Sequence, residues 1–178
     1  MAKVGIFFGS DTGKTRKVAK LIQEAFASDD VAAPVNINKA SIDDLLAYDY
    51  LILGTPTLGD GQLPGLDCDC QGESWAEFAP ELEGADLSGK TVAVFGLGDQ
   101  KGYPDAFVSA MGELFDIASG AGANMVGFWP NSGYDFAESA ALDGDDFVGL
   151  AIDQDNQADQ TAERVAKWVA SIKPQMGF

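Results

Sequence analysis

The chain has 178 residues and a formal net charge of −17, with 28 acidic and 11 basic side chains and no histidine. This length allows one domain with a substantial core. The negative charge argues against nucleic acid or an anionic membrane as a partner, and the absence of histidine removes the commonest general base and metal ligand. The two cysteines, Cys68 and Cys70, cannot complete a zinc site by themselves.

Strand and helix patterns alternate along the chain, starting at residue 3. The apolar runs predict strands at 3–8, 34–37, 50–53, 91–95 and 124–128. Apolar residues at helical spacing predict helices at 14–26, 41–47, 74–82, 104–119 and 162–172. Strands that alternate with helices predict a parallel sheet with helices on both faces. Because no apolar stretch is long enough to span a membrane and the N-terminus enters a strand at once, we expect a cytoplasmic protein.

One segment departs from this alternation near the C-terminal end of the chain. Residues 131–146 are rich in Gly, Ser, Asp and Ala, and apolar residues return only at 147–152. We interpret 131–146 as an excursion from the last strand of the sheet, with the form of a small hairpin. No composition shift marks a domain boundary, so we expect residues 1–178 to form a single domain.

The most specific local pattern lies between the first strand and the first helix. Backbone N–H groups and the dipole at a helix start attract anions, and hydroxyl side chains add further donors. The pattern shares only its end with the nucleoside triphosphate loop, whose first glycine position is occupied here by Phe8. This shorter loop suits a single terminal phosphate, and we expect neutral donors to hold it while the Lys14 side chain points to solvent. The residues of this first loop are Gly9, Ser10, Asp11, Thr12, Gly13, Lys14 and Thr15.

Two further strand ends are followed by glycine-rich loops. Ligands bind at the carboxyl ends of the strands in open α/β sheets, where the winding direction reverses. Three such loops at one edge therefore predict a binding site. The second loop comprises Gly54, Thr55, Pro56, Thr57, Leu58, Gly59, Asp60 and Gly61. The third loop comprises Gly96, Leu97, Gly98, Asp99, Gln100, Lys101, Gly102 and Tyr103.

The three loops closely resemble those of the flavodoxins, and the segment 147–157 also resembles that family, so the resemblance covers nearly the whole chain. It implies an α/β fold with a doubly wound, five-stranded parallel sheet in the order 2-1-3-4-5 and helices on both faces. The segment 131–146 resembles the insertion of the long-chain subgroup, in the last strand. The overall pattern is also similar to members that serve nitrogen fixation.

The resemblance implies FMN as a non-covalently bound cofactor, with its phosphate in the first loop and its ring between the second and third loops. Leu58 stands where many members have Trp, which leaves aromatic stacking to Tyr103 on the outer face of the ring. Asp99 is implied to contact the polar edge of the ring, and the alternative from the residues alone is a turn-capping carboxylate. The implied cofactor-binding residues are Ser10, Asp11, Thr12, Gly13, Lys14, Thr15, Thr55, Pro56, Thr57, Leu58, Gly59, Gly61, Gly96, Leu97, Gly98, Asp99, Tyr103, Phe107 and Asp155.

The implied function is that of a low-potential one-electron carrier that cycles mainly between the semiquinone and the hydroquinone, and not that of an enzyme. Between Lys39 and Lys90 there are 11 acidic residues and no basic one, and a similar acidic run lies between Lys101 and Arg164. These runs favour basic-faced redox partners. The partners implied are a reductase as donor and a low-potential acceptor such as nitrogenase reductase or another ferredoxin-using enzyme, with the protein itself a monomer.

Two alternatives come from other functional classes. A phosphate-binding enzyme, such as a small nucleotidase or kinase, would share the first loop, but the third strand ends in Gly54 instead of a metal-binding Asp. A receiver domain of the same winding would need an acidic cluster at the first strand end, where Ser10 stands, and the same missing Asp. A yellow purified protein would distinguish flavin binding from both.

Overall fold

The central element of the fold is a parallel sheet with five strand positions. The computed structural model describes residues 2–10, 12–68 and 70–178. The strand order is β2-β1-β3-β4-β5, as the resemblance implies. These strands are β1 (Val4–Phe8), β2 (Val35–Asn36), β3 (Tyr50–Pro56), β4 (Thr91–Leu97) and β5 (Asn124–Val126). The α-helices are α1 (Lys14–Phe26), α2 (Ile42–Leu46), α3 (Trp75–Glu83), α4 (Ser109–Gly120) and α5 (Thr161–Ile172).

Alternating strand side chains divide the core into two layers. Leu51 and Leu53 of β3 face the layer that contains α3 and α4, while Ile52 between them faces the layer that contains α1 and α5. This alternation follows from the two-residue period of a strand. Helices therefore cover both faces of the sheet, which explains why the central strands are apolar at nearly every position. Among the described residues, no helix is long and apolar enough to cross a membrane.

The fifth strand position is occupied by two separate segments. β5 pairs with residues Thr91–Ala93 of β4, and β9 (Leu150–Ile152) pairs with the following residues Phe95–Leu97, also in parallel. The intervening chain leaves the sheet and forms a small antiparallel sheet in the order β6-β8-β7. Its strands are β6 (Trp129–Pro130), β7 (Leu142–Asp143) and β8 (Asp146–Phe147). The predicted insertion in the last strand is thus confirmed, although the excursion is longer than 131–146.

A stacked pair of side chains connects this insertion to α5. The Arg164 guanidinium lies 4.0 Å from the centre of the Tyr134 ring, and it donates hydrogen bonds to the carbonyl of Gly133 and to Gln157. The Tyr134 hydroxyl donates to the carbonyl of Ala151. Burial raises the pKa of Tyr134 to about 12, so this donor keeps its proton at neutral pH. The small sheet is therefore held against the main sheet on the β9 side.

The helix predicted at 104–119 begins later than expected, at Ser109. Residues 104–108 bond to the insertion instead: the N–H of Phe107 donates to the carbonyl of Glu138, and the N–H of Glu138 donates to the carbonyl of Pro104. Val108 then has a φ of +48°, which interrupts a right-handed helix. These contacts join residues that are distant in sequence, so periodicity could not place this boundary.

The strands β3 and β4 extend further than predicted. Their pairing continues through Thr55 with Gly96 and Pro56 with Leu97, so the starts of the second and third loops are strand residues. Gly54 allows this extension because a Cβ there would lie 2.0 Å from the Phe95 ring. A glycine that sequence analysis places at a strand end thus serves close side-chain packing inside the strand.

Packing of the insertion on α4 requires a glycine at position 112. A Cβ there would lie 2.4 Å from the carbonyl oxygen of Ala140, which is backbone and cannot rotate away. We expect Gly112→Ala to lower the free energy of unfolding by about 1–3 kcal/mol, as overpacking does. Gly120 of the same helix has open space around it, so Gly120→Ala should change stability by less than about 1 kcal/mol, in the stabilising direction. Urea unfolding of both variants tests this, and equal stabilities would contradict the packing argument.

Candidate functional site

An open cleft lies at the edge of the sheet where β1, β3 and β4 end. Its cavity volume is about 150 Å³. All three loops selected from the sequence contribute to it, together with the segment after β9. The lining residues are Thr12, Lys14, Thr15, Pro56, Thr57, Leu58, Leu97, Gly98, Asp99, Tyr103, Ala106, Gln154 and Asp155. Of these, only Ala106 and Gln154 were not among the predicted site residues; Ala106 adjoins Phe107, and Gln154 lies within the segment 147–157.

The first loop presents the N-terminus of α1 to the cleft. Gly13 is the N-cap residue with a φ of +88°, and its N–H donates to the Ser10 hydroxyl over 2.9 Å. Within the described residues, no side chain caps this helix start. The N–H groups of the first turn have no acceptor within the helix, so they are available to an anion. The prediction for Asp11 lies outside the described residues.

The start of helix α3 packs against the first loop. The carbonyl of Gly54 accepts hydrogen bonds from the N–H of Gly9, at 2.9 Å, and from the Trp75 indole N–H, at 2.7 Å. A Cβ on Gly9 would lie 2.5 Å from the Ser74 hydroxyl oxygen and 2.6 Å from the Trp75 ring. The sequence pattern did not reveal this contact, because residues 74–75 lie about 65 positions beyond the loop that they support.

The second loop turns back on itself over five residues. Leu58 and Gln62 exchange backbone hydrogen bonds of 3.0 and 2.7 Å. Gly59, with a φ of +53°, and Gly61, with a φ of +110°, shape the turn between them and do not line the cleft. Thr57 joins the turn to its surroundings: its N–H donates to the carbonyl of Leu97, and its hydroxyl accepts from the N–H of Ala110. The turn is therefore anchored at its base and exposed at its tip.

The Asp99 carboxylate is engaged within the third loop. One oxygen accepts hydrogen bonds from the N–H of Gly102 at 2.8 Å, from the N–H of Lys101 at 3.1 Å and from the Asn156 side chain at 2.8 Å. The Gly102 N–H and then the Asn156 amide are the main causes that lower the pKa of Asp99 below its ordinary value. The geometry corresponds to a turn-capping carboxylate that also lines the cleft.

Tyr103 extends from this loop into the mouth of the cleft. Tyr103 is 55% exposed, which is unusual for an aromatic residue next to a cavity. Its N–H donates to the carbonyl of Asp99 over 2.8 Å, which fixes the backbone beside the ring. An exposed aromatic ring at a cleft mouth is suited to covering a flat ligand.

The expectation that the Lys14 side chain points to solvent is wrong. Its ammonium forms an ion pair with the Asp155 carboxylate across the cleft, and the two side chains are 48% and 41% exposed. The acidic segment after β9 approaches the phosphate loop because β9 ends beside β4. Sequence analysis treated Lys14 within its own loop only and did not consider a partner as distant in sequence as Asp155.

Three predicted site residues lie behind the cleft wall. Thr55 is fully buried and donates to the carbonyl of Pro56, and Gly96 packs against Met111. Phe107 is fully buried among the rings of the insertion and does not line the cleft. It still limits the wall, because a Cβ on Gly98 would lie 2.9 Å from the Phe107 ring. Among the described residues, no group of three or more Cys, Asp or Glu is placed to hold a metal ion.

Comparisons with known proteins agree on one family. The family model described as Flavodoxin matches residues 6–168. The flavodoxin of Klebsiella pneumoniae is 61% identical over 173 residues, which cover 97% of this chain and 98% of that protein. Flavodoxin 1 of Escherichia coli strain K12 is 49% identical over 177 residues, covering 99% and 96%. The crystal structure of Fusobacterium nucleatum flavodoxin bound to flavin mononucleotide has a TM-score of 0.88 at 29% identity, covering 98% of this chain and 99% of that one.

The lowered pKa of Asp99 gives a prediction for the wall of the cleft. Removing the Asn156 donor by Asn156→Ala should raise the pH at which the Asp99 carboxyl titrates, measured by carbon-13 NMR of the folded protein. Because the folded pKa is depressed, this interaction stabilises the fold above the unfolded pKa and is lost as the pH falls through the folded pKa. Gln157→Ala, whose side chain bonds to Gly133 and Arg164, is the control and should leave the midpoint unchanged. An equal midpoint in Asn156→Ala and the wild type would contradict this account of the turn.

Proposed function

Because the chain belongs to the flavodoxin family, we propose that it is a low-potential one-electron carrier that holds FMN non-covalently in the cleft and cycles mainly between the semiquinone and the hydroquinone. Flavodoxins are electron-transfer proteins and not enzymes. The observation that carries the proposal for this chain is the convergence of three strand-end loops on one cleft, with a helix N-terminus on one side and an exposed tyrosine at the mouth. We also propose that residues 1–178 form one FMN-binding domain and that the protein is a cytoplasmic monomer.

The residues of the cleft fit FMN in both of its parts. The helix start and the hydroxyls of Ser10, Thr12 and Thr15 form a donor set for a phosphate. Pro56, Leu58 and Leu97 provide apolar contact for a ring system, as cofactor sites generally do. When bound, FMN supplies the redox chemistry, and the protein contributes binding, orientation and electrostatics.

The phosphate group is proposed to bind to neutral donors of the first loop. In the structure the Ser10 hydroxyl accepts a hydrogen bond from the N–H of Gly13. When an anion binds in the loop, the hydroxyl can rotate and donate its own hydrogen bond to that anion. The ammonium of Lys14 is already paired with Asp155, so much of its charge is compensated locally. Lys14 and Asp155 then join the two sides of the cleft next to the phosphate position.

The flavin ring is proposed to lie between the second and third loops. Leu58 covers its inner face by apolar contact, and Tyr103 stacks on its outer face. Stacking and burial of a tyrosine ring together contribute roughly 1–3 kcal/mol. The backbone of residues 98–99 then lies along the ring edge, while the Asp99 side chain holds its turn in place.

The negative charge around the cleft favours a low reduction potential. One carboxylate about 10 Å from an added electron, at an effective dielectric constant near 20, opposes reduction by roughly 1.7 kcal/mol before screening. For one electron this corresponds to about 70 mV, since a tenfold change is 59 mV. Asp60 and Asp99 lie on the loops that surround the cleft, and the acidic runs extend beyond them. Compensation of Asp155 by Lys14 reduces the contribution of that carboxylate.

The same charge selects the partners that we propose. Basic-faced redox proteins are attracted to an acidic surface, which raises the rate of productive encounters. We propose a reductase as the electron donor and a low-potential acceptor such as nitrogenase reductase or another ferredoxin-using enzyme. Because Tyr103 is exposed at the cleft mouth, we propose that the outer edge of the cofactor lies at the protein surface, where a partner can approach it.

The first prediction for this function concerns the phosphate. Thr12→Ala should weaken FMN binding to the apoprotein more than Lys14→Ala, because the hydroxyl donates directly while Lys14 is engaged by Asp155. Losing a hydrogen bond to a charged group costs about 1.5–3 kcal/mol, which is roughly a 10- to 100-fold change in the dissociation constant. Fluorescence-quenching titration measures it, and Thr12→Ser, which retains the hydroxyl, is the matched control. A larger loss for Lys14→Ala would refute binding by neutral donors.

The second prediction tests one-electron chemistry at the tip of the second loop. Gly59 lacks a Cβ, so its peptide with Asp60 can turn its carbonyl towards a reduced ring at little cost. Gly59→Val should raise the energy of left-handed conformations by about 1 kcal/mol or more and bring the two one-electron midpoint potentials closer together. Gly144→Val introduces the same change at a φ of +64° in the insertion, with open space around it, and should leave both potentials unchanged. Potentiometric titration of the reconstituted variants measures both midpoint potentials. An unchanged separation between them in Gly59→Val would exclude this role of Gly59.

The third prediction concerns the acidic surface. The rate of electron transfer to a cationic redox protein should fall as the ionic strength rises from about 0.01 to 0.15 M, because the screening length shortens from about 30 to 8 Å. An anionic acceptor of similar potential serves as the control and should react faster as salt is added. Stopped-flow absorbance of the reduced protein measures both rates. A rate that does not depend on salt would leave the charge with a role in solubility only.

A further inference from the structure

A fully buried carboxylate, Asp153, stands immediately behind the cleft. It follows the last residue of β9, and Ile152 of that strand pairs with Leu97 of β4. Asp153 does not line the cleft, and neither the sequence motifs nor the proposed function gives it a role. In the described part of the chain, no lysine or arginine forms an ion pair with it. A buried carboxylate without a cation is costly unless hydrogen bonds replace its water.

Those hydrogen bonds come from amide groups on two segments. One oxygen of Asp153 accepts from the backbone N–H groups of Asp155 and Asn156, at 3.1 and 3.0 Å. The other accepts from the backbone N–H of Gln100 at 3.1 Å, from its side-chain amide at 2.8 Å and from the side chain of Asn156 at 2.9 Å. The carboxylate thus fills its acceptor positions with donors from the third loop and from the segment after β9.

The donors of Asp153 connect it to the turn that carries Tyr103, to the insertion and to the first loop. The Asn156 amide also donates to Asp99, at 2.8 Å, so it connects Asp153 to the turn that carries Tyr103. The Gln100 side-chain oxygen accepts from the N–H of Asp135 at 2.6 Å, which connects the insertion to the same cluster. Asp155, whose N–H is bound to Asp153, forms the ion pair with Lys14 of the first loop.

We propose that Asp153 is a positioning residue for the cofactor, which rests on the proposed function. Its carboxylate sets the distance between the third loop and the segment 154–156, and so holds Tyr103 and Asp155 where the cofactor needs them. It acts through Gln100 and Asn156 and does not touch the cofactor itself. Dense hydrogen bonding around a single buried acceptor group makes such a network cooperative.

The direction in which a substitution changes the FMN affinity distinguishes a positioning role from simple electrostatics. FMN is an anion. By Coulomb's law alone, removal of the negative charge of Asp153 should therefore strengthen FMN binding. Asp153→Asn has nearly the same shape but replaces one acceptor oxygen with an amide donor, which then faces the donors that surround it. Positioning therefore predicts weaker binding, opposite to the electrostatic expectation.

The experiment compares Asp153→Asn with Asp159→Asn, in which the same charge is removed from an exposed acidic residue of the turn Ala158–Gln160. We expect the FMN dissociation constant of the Asp153→Asn apoprotein to rise at least tenfold and that of Asp159→Asn to stay within twofold of the wild type. The visible circular dichroism of bound FMN should change in Asp153→Asn only, since this band reports the arrangement of groups around the ring. Urea unfolding of each apoprotein shows how much of the loss in FMN affinity comes from a less stable fold.

A second variant decides the matter if Asp153→Asn does not fold. Gln100→Leu removes one donor to Asp153 and the contact to Asp135, and it should raise the dissociation constant about three- to tenfold with the same kind of dichroism change. In the double variant the two effects should be less than multiplicative, because they act on one network. If the wild type binds FMN but both single variants bind it within twofold and with unchanged dichroism, the positioning role is overturned. If the wild type itself does not bind FMN, the proposed function fails instead.

Discussion

The site depends on the pairing of strand β4 along both of its edges. On one edge β4 is bonded to β3 over seven residues, which brings the second and third loops side by side. On the other edge its first half pairs with β5 and its second half with β9. This division lets the chain insert a separate small sheet without breaking the pairing of β4. It also brings residues 153–156 to the edge where the other loops end, so the cleft has walls from four regions of the sequence.

The proposed function requires a strongly negative chain to bind an anion locally. A net charge of −17 repels a phosphate. Distance from the carboxylates would not by itself overcome this repulsion. The proposed phosphate site relies instead on short-range donors: the open N-terminus of α1 and hydroxyl groups within the first loop. Short-range hydrogen bonds act over about 3 Å, whereas the surface charges are screened beyond about 10 Å. Binding of the cofactor and attraction of a cationic partner can therefore coexist.

Sequence patterns predicted the parallel sheet, the three loops and the excursion near 131–146, since each depends on local features: apolar periodicity, glycine placement and helix starts. The strand order came from the resemblance to the flavodoxins and not from these patterns. They failed where distant segments meet. The helix predicted from Pro104 begins at Ser109, because residues 104–108 bond to the insertion. Lys14 turned out to be paired with Asp155, which is 141 positions away. The buried carboxylate of Asp153 follows an ordinary apolar run, and no local pattern distinguishes it from the exposed acidic residues around it.

The most direct test of the account is to map FMN on the apoprotein by amide NMR. The central claim is that FMN binds in the cleft formed by the three loops and the segment after β9. On addition of FMN, the largest changes in amide chemical shift should fall on residues 12–15, 57–61, 98–103 and 153–156. Amides of the surface groove beside Glu113 and Gly120, on the far end of α4, should not change. Saturable binding with its largest shifts outside those four segments, or no binding at micromolar FMN, would contradict the account.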